Sequence, residues 1–96
     1  MTTSKIHIVP TQDFISSNRM GVILNTTVQG ISQALGFENN NGVSGDGKVK
    51  HQWNFRVNGA ECSIWDYKGS AAWGQFSFYG PRAVFVEIFG EGNLGE

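Results

Sequence analysis

The chain has 96 residues, enough for one small domain over 1–96 with a modest core. Its net charge is −1 and its charged fraction is 16 %, which excludes the basic stripe that nucleic-acid-binding proteins carry. Cys62 is the only cysteine, and no apolar run approaches the roughly 18 residues of a membrane span, so we expect a cytoplasmic protein without disulfides or a membrane partner.

Two short strands are predicted near the N-terminus. Residues 5–9 alternate weakly between polar and apolar side chains and stop at Pro10, a residue that sheets confine to their edges. The apolar run 20–24 predicts a second strand that leads into a helix. The Gly- and Asn-rich stretch at 38–49 is typical of a flexible loop.

A helix is predicted over about 27–35. Its apolar residues recur at the spacing of one helical face: Val28, Ile31 and Leu35. Thr26 followed by Gln29 fits a capping box, in which each side chain satisfies an unpaired amide at the helix start. Gly36 suits the left-handed position that ends many helices.

Asn58-Gly59 lies between two segments in which polar and apolar residues alternate, and it predicts a β-hairpin. A type I′ turn needs positive φ at both central residues, and Asn followed by Gly adopts that conformation readily. The two-residue turn sets the register of the two strands. In that register one face is apolar, and four of its residues are expected in the core: Trp53, Phe55, Cys62 and Ile64. The opposite-charge pair Arg56–Glu61 falls on the other face, and a slip of one residue would destroy both features.

The hairpin and a third alternating strand predict a meander over 50–57, 60–68 and 71–79. Phe76 and Phe78 of the third strand are expected in the core. Aromatic residues of the opposite face are expected to be exposed and to form a contact surface: Trp65, Tyr67, Trp73 and Tyr79.

His51 faces Asp66 at the open end of the hairpin, where the apolar face stops. One interpretation is structural: the carboxylate fixes the imidazole tautomer or caps the following turn. The other interpretation is functional: the pair faces a ligand, arranged like a general base and its orienting carboxylate. The sequence favours the structural interpretation and leaves both open.

The last apolar segment is compatible with a helix or a strand. Pro81 suits the first helical turn, Gly90 suits the position after the last turn, and four apolar residues cluster on one stripe, which favours a helix over about 82–89. Its β-branched residues would equally suit a strand. The tail 91–96 is expected to fray.

Together these elements predict an α+β domain. An antiparallel sheet of three to five strands would carry two helices packed on one face. The sequence shows no internal repeat that would divide this unit.

The order of residues from the first helix onward resembles small accessory proteins of tailed bacteriophages. Those proteins carry a helix ending in a Leu-Gly or Phe-Gly pair, a W-x-F strand, a turn, an I-[YW]-D-[YW]-K strand and a later tryptophan. The matching residues, within 26–90, are Leu35, Gly36, Trp53, Phe55, Ile64, Trp65, Asp66, Tyr67, Lys68 and Trp73. The resemblance implies a viral protein in the host cytoplasm. Some small phage proteins counter bacterial defences by sequestering nucleotide-derived signals or by binding a defence protein.

The residues favour binding over catalysis. The two histidines lack the spacing of metal ligands, and the single cysteine excludes a C-x-x-C motif. Only His51 and Asp66 resemble a catalytic pair, and no nucleophile accompanies them. We therefore expect a protein without enzymatic activity, bound metal or cofactor.

The leading hypothesis is that an aromatic and cationic surface sequesters a nucleotide-derived signalling molecule, because rings stack on bases while Lys or Arg meets phosphate. The predicted ligand-binding residues are His51, Trp65, Asp66, Tyr67, Lys68, Trp73, Tyr79 and Arg82. The alternative is a protein–protein inhibitor that binds a host defence protein through the same aromatic residues. A homo-oligomer is expected in either case, since a second subunit would complete the pocket or cover the aromatic face.

Overall fold

A computed structural model describes residues 7–11, 18–39, 51–67 and 69–95 of the chain. Its regular elements, in chain order, are β1 Ile8–Pro10, β2 Gly21–Ile23, α1 Val28–Leu35, β3 Gln52–Val57, β4 Ala60–Trp65, a 3-10 turn Ser70–Trp73, β5 Phe76–Tyr79, α2 Arg82–Phe89, a 3-10 turn Glu91–Asn93 and β6 Leu94–Gly95. Most of the predicted flexible loop, from residue 40 onward, lies outside the described residues.

The described strands form a single antiparallel sheet in the order β1-β3-β4-β5-β2-β6. The predicted α+β class is confirmed, although the sheet has six strands where three to five were expected. The additional strand comes from the tail that was expected to fray. Residues 91–95 form a turn and then β6, in which Leu94 pairs with Ile23 of β2. Burial of Leu94 against the core holds this segment in place.

The hairpin has the predicted register. Its pairs run from Val57 opposite Ala60 to Gln52 opposite Trp65. Asn58 and Gly59 have φ values of 52° and 86°, as a type I′ turn requires. The strands therefore place the predicted apolar face toward the helices and the Arg56–Glu61 pair away from them.

Both helices pack on the apolar face of the sheet, as predicted. Ile31 and Leu35 of α1 and Phe85 of α2 are buried there with the aromatic residues of the strands. Phe85 stacks on Phe78 with 4.2 Å between the ring centroids. The indole N–H of Trp53 donates to Ser32 Oγ of α1 at 3.2 Å, so its one polar atom is satisfied inside the core.

The start of α1 differs from the prediction by one residue. Thr27, not Thr26, is the N-cap residue, and its Oγ1 accepts from the Gly30 amide at 2.9 Å. The third helical residue is then a glycine, so the predicted reciprocal box with Gln29 does not form. Gly36 ends the helix with φ of 90°, as predicted.

Residues 82–89 form a helix, which resolves the ambiguity between helix and strand in favour of α2. Pro81 is the N-cap residue and not the first helical residue. The predicted third strand is shorter than 71–79, since β5 begins at Phe76 and a 3-10 turn precedes it. Two glycines with positive φ, Gly69 and Gly74, flank that turn and interrupt the strand.

The edge of the sheet at β1 is poorly suited to pairing with another strand. Thr11 donates to the Asn54 carbonyl at 2.9 Å, so by the alternation of an antiparallel ladder Pro10 lies at a position that faces away from β3. A proline there presents no amide to an incoming strand. Within the described ranges, no helix is both long and apolar enough to cross a membrane.

Candidate functional site

The fold separates the predicted ligand-binding residues into two groups. The register of β3, β4 and β5 places His51, Trp65, Asp66, Tyr67 and Trp73 toward the end of the sheet opposite the hairpin turn. Tyr79 pairs with Ser63 and leads to Arg82 at the other end of β5. Lys68 lies outside the described residues. The predicted single surface of rings and cations is therefore not assembled by the described residues.

The prediction that Trp65 is exposed is wrong. Its side chain is 6 % exposed, although it lies on the face away from the helices. The polar strand residues around it on this face are buried at Asn54, Ser63 and Ser77 and half-buried at Gln52. Ser63 Oγ donates to Asn54 Oδ1 at 2.8 Å, and Gln52 Nε2 donates to Ser63 Oγ at 3.3 Å. The Trp65 side chain is therefore buried beside a hydrogen-bonded polar layer and does not form an exposed contact surface.

Tyr67 and Trp73 are exposed, as predicted, with 43 % and 65 % of their surfaces accessible. A tight turn carries both rings. The Tyr67 amide donates to Ser70 Oγ, the Ser70 amide donates to the Tyr67 carbonyl, and both distances are 3.1 Å. Ser70 is buried, so this turn is anchored to the protein body. Two large exposed aromatic side chains beside the buried Ser70 suit contact with a partner.

His51 and Asp66 form a closed pair at the open end of the hairpin. One carboxylate oxygen, Oδ2, accepts from His51 Nδ1 at 2.8 Å, and the other, Oδ1, accepts from the His51 amide at 3.0 Å. The Asp66 amide in turn donates to the His51 carbonyl at 3.2 Å. Asp66 is 2 % exposed, so its carboxylate is directed to its own chain and not to solvent. This geometry favours the structural interpretation of the pair.

A cleft of about 370 Å³ lies at the other end of the sheet, lined by Met20, Phe78, Gly80 and Arg82. The Met20 amide donates to the Phe78 carbonyl at 2.8 Å and Gly21 pairs with Phe78, so β2 and β5 bring together residues that are far apart in the sequence. Arg82 is exposed at the first residue of α2, where the helix dipole favours negative charge.

Gly80 allows the chain to turn into α2 beside this cleft. Its φ is 132°, and a Cβ there would lie 3.0 Å from Cys62 Sγ and 3.0 Å from the Glu61 carbonyl oxygen. A larger residue would therefore have to push the turn outward into the cleft. Tyr79, on the opposite face of β5, does not line the cleft.

Arg82 was predicted from the sequence as a ligand-binding residue, whereas the other described lining residues, Met20, Phe78 and Gly80, were not. Phe78 was assigned only to the core, where its side chain lies, although it is also a lining residue of the cleft. Met20 was seen only as the start of a strand. The pairing of β2 with β5 unites these residues, and local sequence patterns carry no signal for that pairing.

A second cleft, of about 350 Å³, lies where β1 leaves β3 and is lined by seven residues that include Glu38, Gln52 and Asn54. Among the described residues, its lining contains the acid Glu38, whereas that of the first cleft contains the cation Arg82. Of these two described linings, that of the Arg82 cleft suits an anion better.

Neither cysteine nor metal chemistry is favoured by the described residues. Burial raises the pKa of the Cys62 thiol to about 11, so the nucleophilic thiolate is scarce at neutral pH. No group of three His, Cys, Asp or Glu side chains in the described ranges could hold a metal ion.

Comparisons with protein-family models, with curated proteins and with solved structures each found no match. What can be inferred about function therefore comes from the residues and geometry of this chain.

Proposed function

We propose that this chain is a small binding protein without catalytic activity, and that it sequesters a nucleotide-derived molecule in the cleft beside Arg82. The observation that supports this proposal is the chemistry of the lining. The side chain of Met20, which is 58 % exposed, adjoins the exposed Arg82, while Phe78 lies almost fully buried beside them. A nucleotide needs that combination, an apolar contact for its base and a cation for its phosphate.

The dimensions and residue types of the cleft support a small ligand. Its volume of about 370 Å³ falls within the roughly 300–1,000 Å³ that small-molecule sites occupy. Met20 is 58 % exposed, and a thioether makes favourable contacts with aromatic rings. The guanidinium of Arg82 can form two parallel hydrogen bonds to one phosphate.

The absence of catalysis is proposed because the His51–Asp66 pair, the acid–base pair predicted from the sequence, is committed elsewhere. His51 and Asp66 bond to each other and to the main chain at the far end of the sheet from Arg82. The resemblance to phage accessory proteins supplies the biological setting. In that setting the ligand would be a bacterial defence signal, and the protein would act by holding it in the host cytoplasm.

Isothermal titration tests the proposal against a panel of cyclic nucleotides and ADP-ribose derivatives. The wild-type protein should bind at least one member, and Arg82→Ala should weaken that binding at least about tenfold, the loss expected for one charge-assisted contact. Arg56→Ala is the matched control, because Arg56 is not a lining residue of the cleft and pairs with Glu61 at 3.4 Å. Absence of heat across the whole panel would contradict the proposal.

The exposed turn supports a second candidate function, an inhibitor that binds a host defence protein directly. Exposed aromatic residues dominate the energetics of many protein interfaces. Tyr67 and Trp73 would be the central contacts, and a second copy of this chain could instead cover them.

Sizing chromatography and a pull-down from host lysate distinguish the two possible partners of this turn, a second copy of the chain and a host protein. If the turn makes a homo-oligomer, Trp73→Ala should lower the apparent mass of the purified protein. If it binds a host protein, the wild type should retain that protein from lysate, Trp73→Ala should lose it and Arg82→Ala should keep it. Equal retention by all three would count against the aromatic turn as an interface.

A further inference from the structure

The tip of the hairpin combines an exposed carboxamide with a main-chain amide that has no partner. Asn58 and Gly59 are both exposed, and a Cβ placed on Gly59 would meet no atom within 4 Å. In a two-residue type I′ turn the main-chain hydrogen bonds join the flanking pair, Val57 and Ala60. No residue that the structure describes accepts from the Gly59 amide. Its nitrogen is therefore accessible directly after the Asn58 side chain.

We propose that Asn58 is a site of spontaneous deamidation in the folded protein. The Gly59 nitrogen attacks Asn58 Cγ, and the new C–N bond closes a five-membered succinimide ring. The bond from Cγ to the side-chain nitrogen breaks, and that nitrogen leaves as ammonia after receiving, by way of water, the proton of the Gly59 amide. Water then opens the ring, adding OH to one carbonyl carbon and H to the ring nitrogen. Attack on one carbonyl gives aspartate at position 58, and attack on the other gives isoaspartate.

The positive φ of Asn58 allows the ring to close while the strands stay in place. The φ values are 52° at Asn58 and 86° at Gly59. Rotation of the peptide between them converts the type I′ turn into type II′, the other two-residue hairpin turn, in which Asn58 keeps positive φ and has ψ of about −120°. At that ψ the Gly59 nitrogen lies on the same side as Asn58 Cβ, as a five-membered ring requires. Gly59 accepts the accompanying change in its own φ because it has no Cβ.

A second asparagine with positive φ provides an internal comparison. Asn25 is exposed and has φ of 60°, but it is followed by Thr26. The Thr26 amide donates to the Gly74 carbonyl at 3.2 Å, and the β-branched threonine crowds its own nitrogen. Attack by this nitrogen must first break the hydrogen bond. Deamidation should therefore be at least about tenfold slower at Asn25 than at Asn58.

The two products should differ in their effect on the hairpin. Asp-Gly suits a type I′ turn as Asn-Gly does, so aspartate at position 58 should keep the fold while the net charge changes from −1 to −2. Isoaspartate instead adds a methylene group to the main chain of the turn that sets every cross-strand pair. The isoaspartate form should therefore unfold at a lower urea concentration than the aspartate form.

The experiment is peptide mapping by mass spectrometry of the purified full chain, incubated in native buffer at neutral and at mildly alkaline pH. Fragment ions assign each asparagine separately and keep Asn58 distinct from Asn41-Gly42, the other Asn-Gly pair. The Asn58 fragment should gain the mass difference between an amide and an acid, faster at the higher pH. Asn58→Gly is the matched control, because Gly-Gly also suits the turn but offers no carboxamide, so its fragment should keep its mass.

A destabilised variant shows whether the reaction occurs in the native turn. Ser32→Ala removes a hydrogen bond of the core far from the turn and should leave the rate at Asn58 unchanged. Absence of conversion at Asn58 in native buffer, or a faster rate in Ser32→Ala, would mean that ring closure needs an unfolded chain and would overturn the proposal. Conversion of Asn25 as fast as that of Asn58 would overturn the role of the unpartnered Gly59 amide. Equal urea midpoints for the two separated products would overturn the effect on the hairpin.

Discussion

Removal of the Asp66 carboxylate tests whether the His51–Asp66 pair holds the hairpin closed. In Asp66→Ala the His51 amide and Nδ1 lose acceptors that lie at 3.0 Å and 2.8 Å. A hydrogen bond to a charged group contributes about 1.5–3 kcal/mol. The His51 side chain is 33 % exposed, so water can replace part of the lost hydrogen bonding. We therefore take about 1.5 kcal/mol, the lower end of that range, for each bond. The expected cost is about 3 kcal/mol.

The assay is urea denaturation followed by circular dichroism. With an m-value of about 2 kcal/mol per molar, a loss of about 3 kcal/mol lowers the midpoint by about 1.5 M. Glu61→Gln is the control, because the Arg56–Glu61 pair lies at the other end of the same hairpin and its side chains are 37 % and 50 % exposed. Loss of that exposed ion pair should lower the free energy of unfolding by less than about 1 kcal/mol. Equal midpoints for the two variants would refute a stabilising role for Asp66, and loss of nucleotide binding in Asp66→Asn without loss of stability would favour the functional interpretation.

Three further stability measurements test the core. Ser32→Ala leaves the buried indole N–H of Trp53 without its 3.2 Å acceptor and should lower the free energy of unfolding by about 1–3 kcal/mol in urea denaturation. In a Trp53→Phe background, which has no indole N–H, the same Ser32→Ala substitution should cost much less. Gly80→Ala should cost at least about 2 kcal/mol, because φ is 132° and the added Cβ meets Cys62 and Glu61 at 3.0 Å; Gly36→Ala, where φ is 90° and no atom lies within 4 Å, should cost less. Burial raises the pKa of the Cys62 thiol from 9.0 to about 11, so the folded state holds a proton that the unfolded chain has lost. The stabilisation of the folded state by the protonated thiol is therefore fully present below pH 9 and is lost as the pH rises to 11. Over that range the free energy of unfolding of the wild type should fall by about 2–3 kcal/mol relative to that of Cys62→Ala. A pH-independent difference between those two proteins would contradict the assignment.

The sequence predicted the hairpin well, because its turn chemistry and its strand pattern agree. Asn58-Gly59 sets the turn type, and the turn type sets every cross-strand pair from Val57 to Gln52. The helix boundaries were predictable for a similar reason, since glycines with positive φ or capping residues follow or precede each apolar stripe.

The burial of Trp65 was not predictable from alternation. A period of two separates the faces of a strand, but it does not show that the second face is also covered. The polar residues Asn54 and Ser63 suggested a wet face, whereas they bond to each other in a buried layer. The sequence therefore indicated the correct face for Trp65 and the wrong environment.

The Arg82 cleft depends on contacts between segments about 60 residues apart, and long-range pairing has no local sequence signature. β2 could have paired with its neighbour in the chain, β1. Instead it lies between β5 and β6 and brings Met20 against Phe78. The cation was therefore recognisable from the sequence, while the apolar wall beside it was not.

Chemical-shift mapping with a cyclic mononucleotide tests the central claim most directly, because it reports where the ligand lies as well as whether it binds. In two-dimensional amide spectra of the isotope-labelled wild type, the perturbed amides should cluster at Met20, Gly21 and residues 78–83. In Arg82→Ala, the ligand concentration that gives half of these perturbations should rise at least about tenfold. Perturbations centred on Tyr67 and Trp73 would place recognition on the aromatic turn and contradict the account.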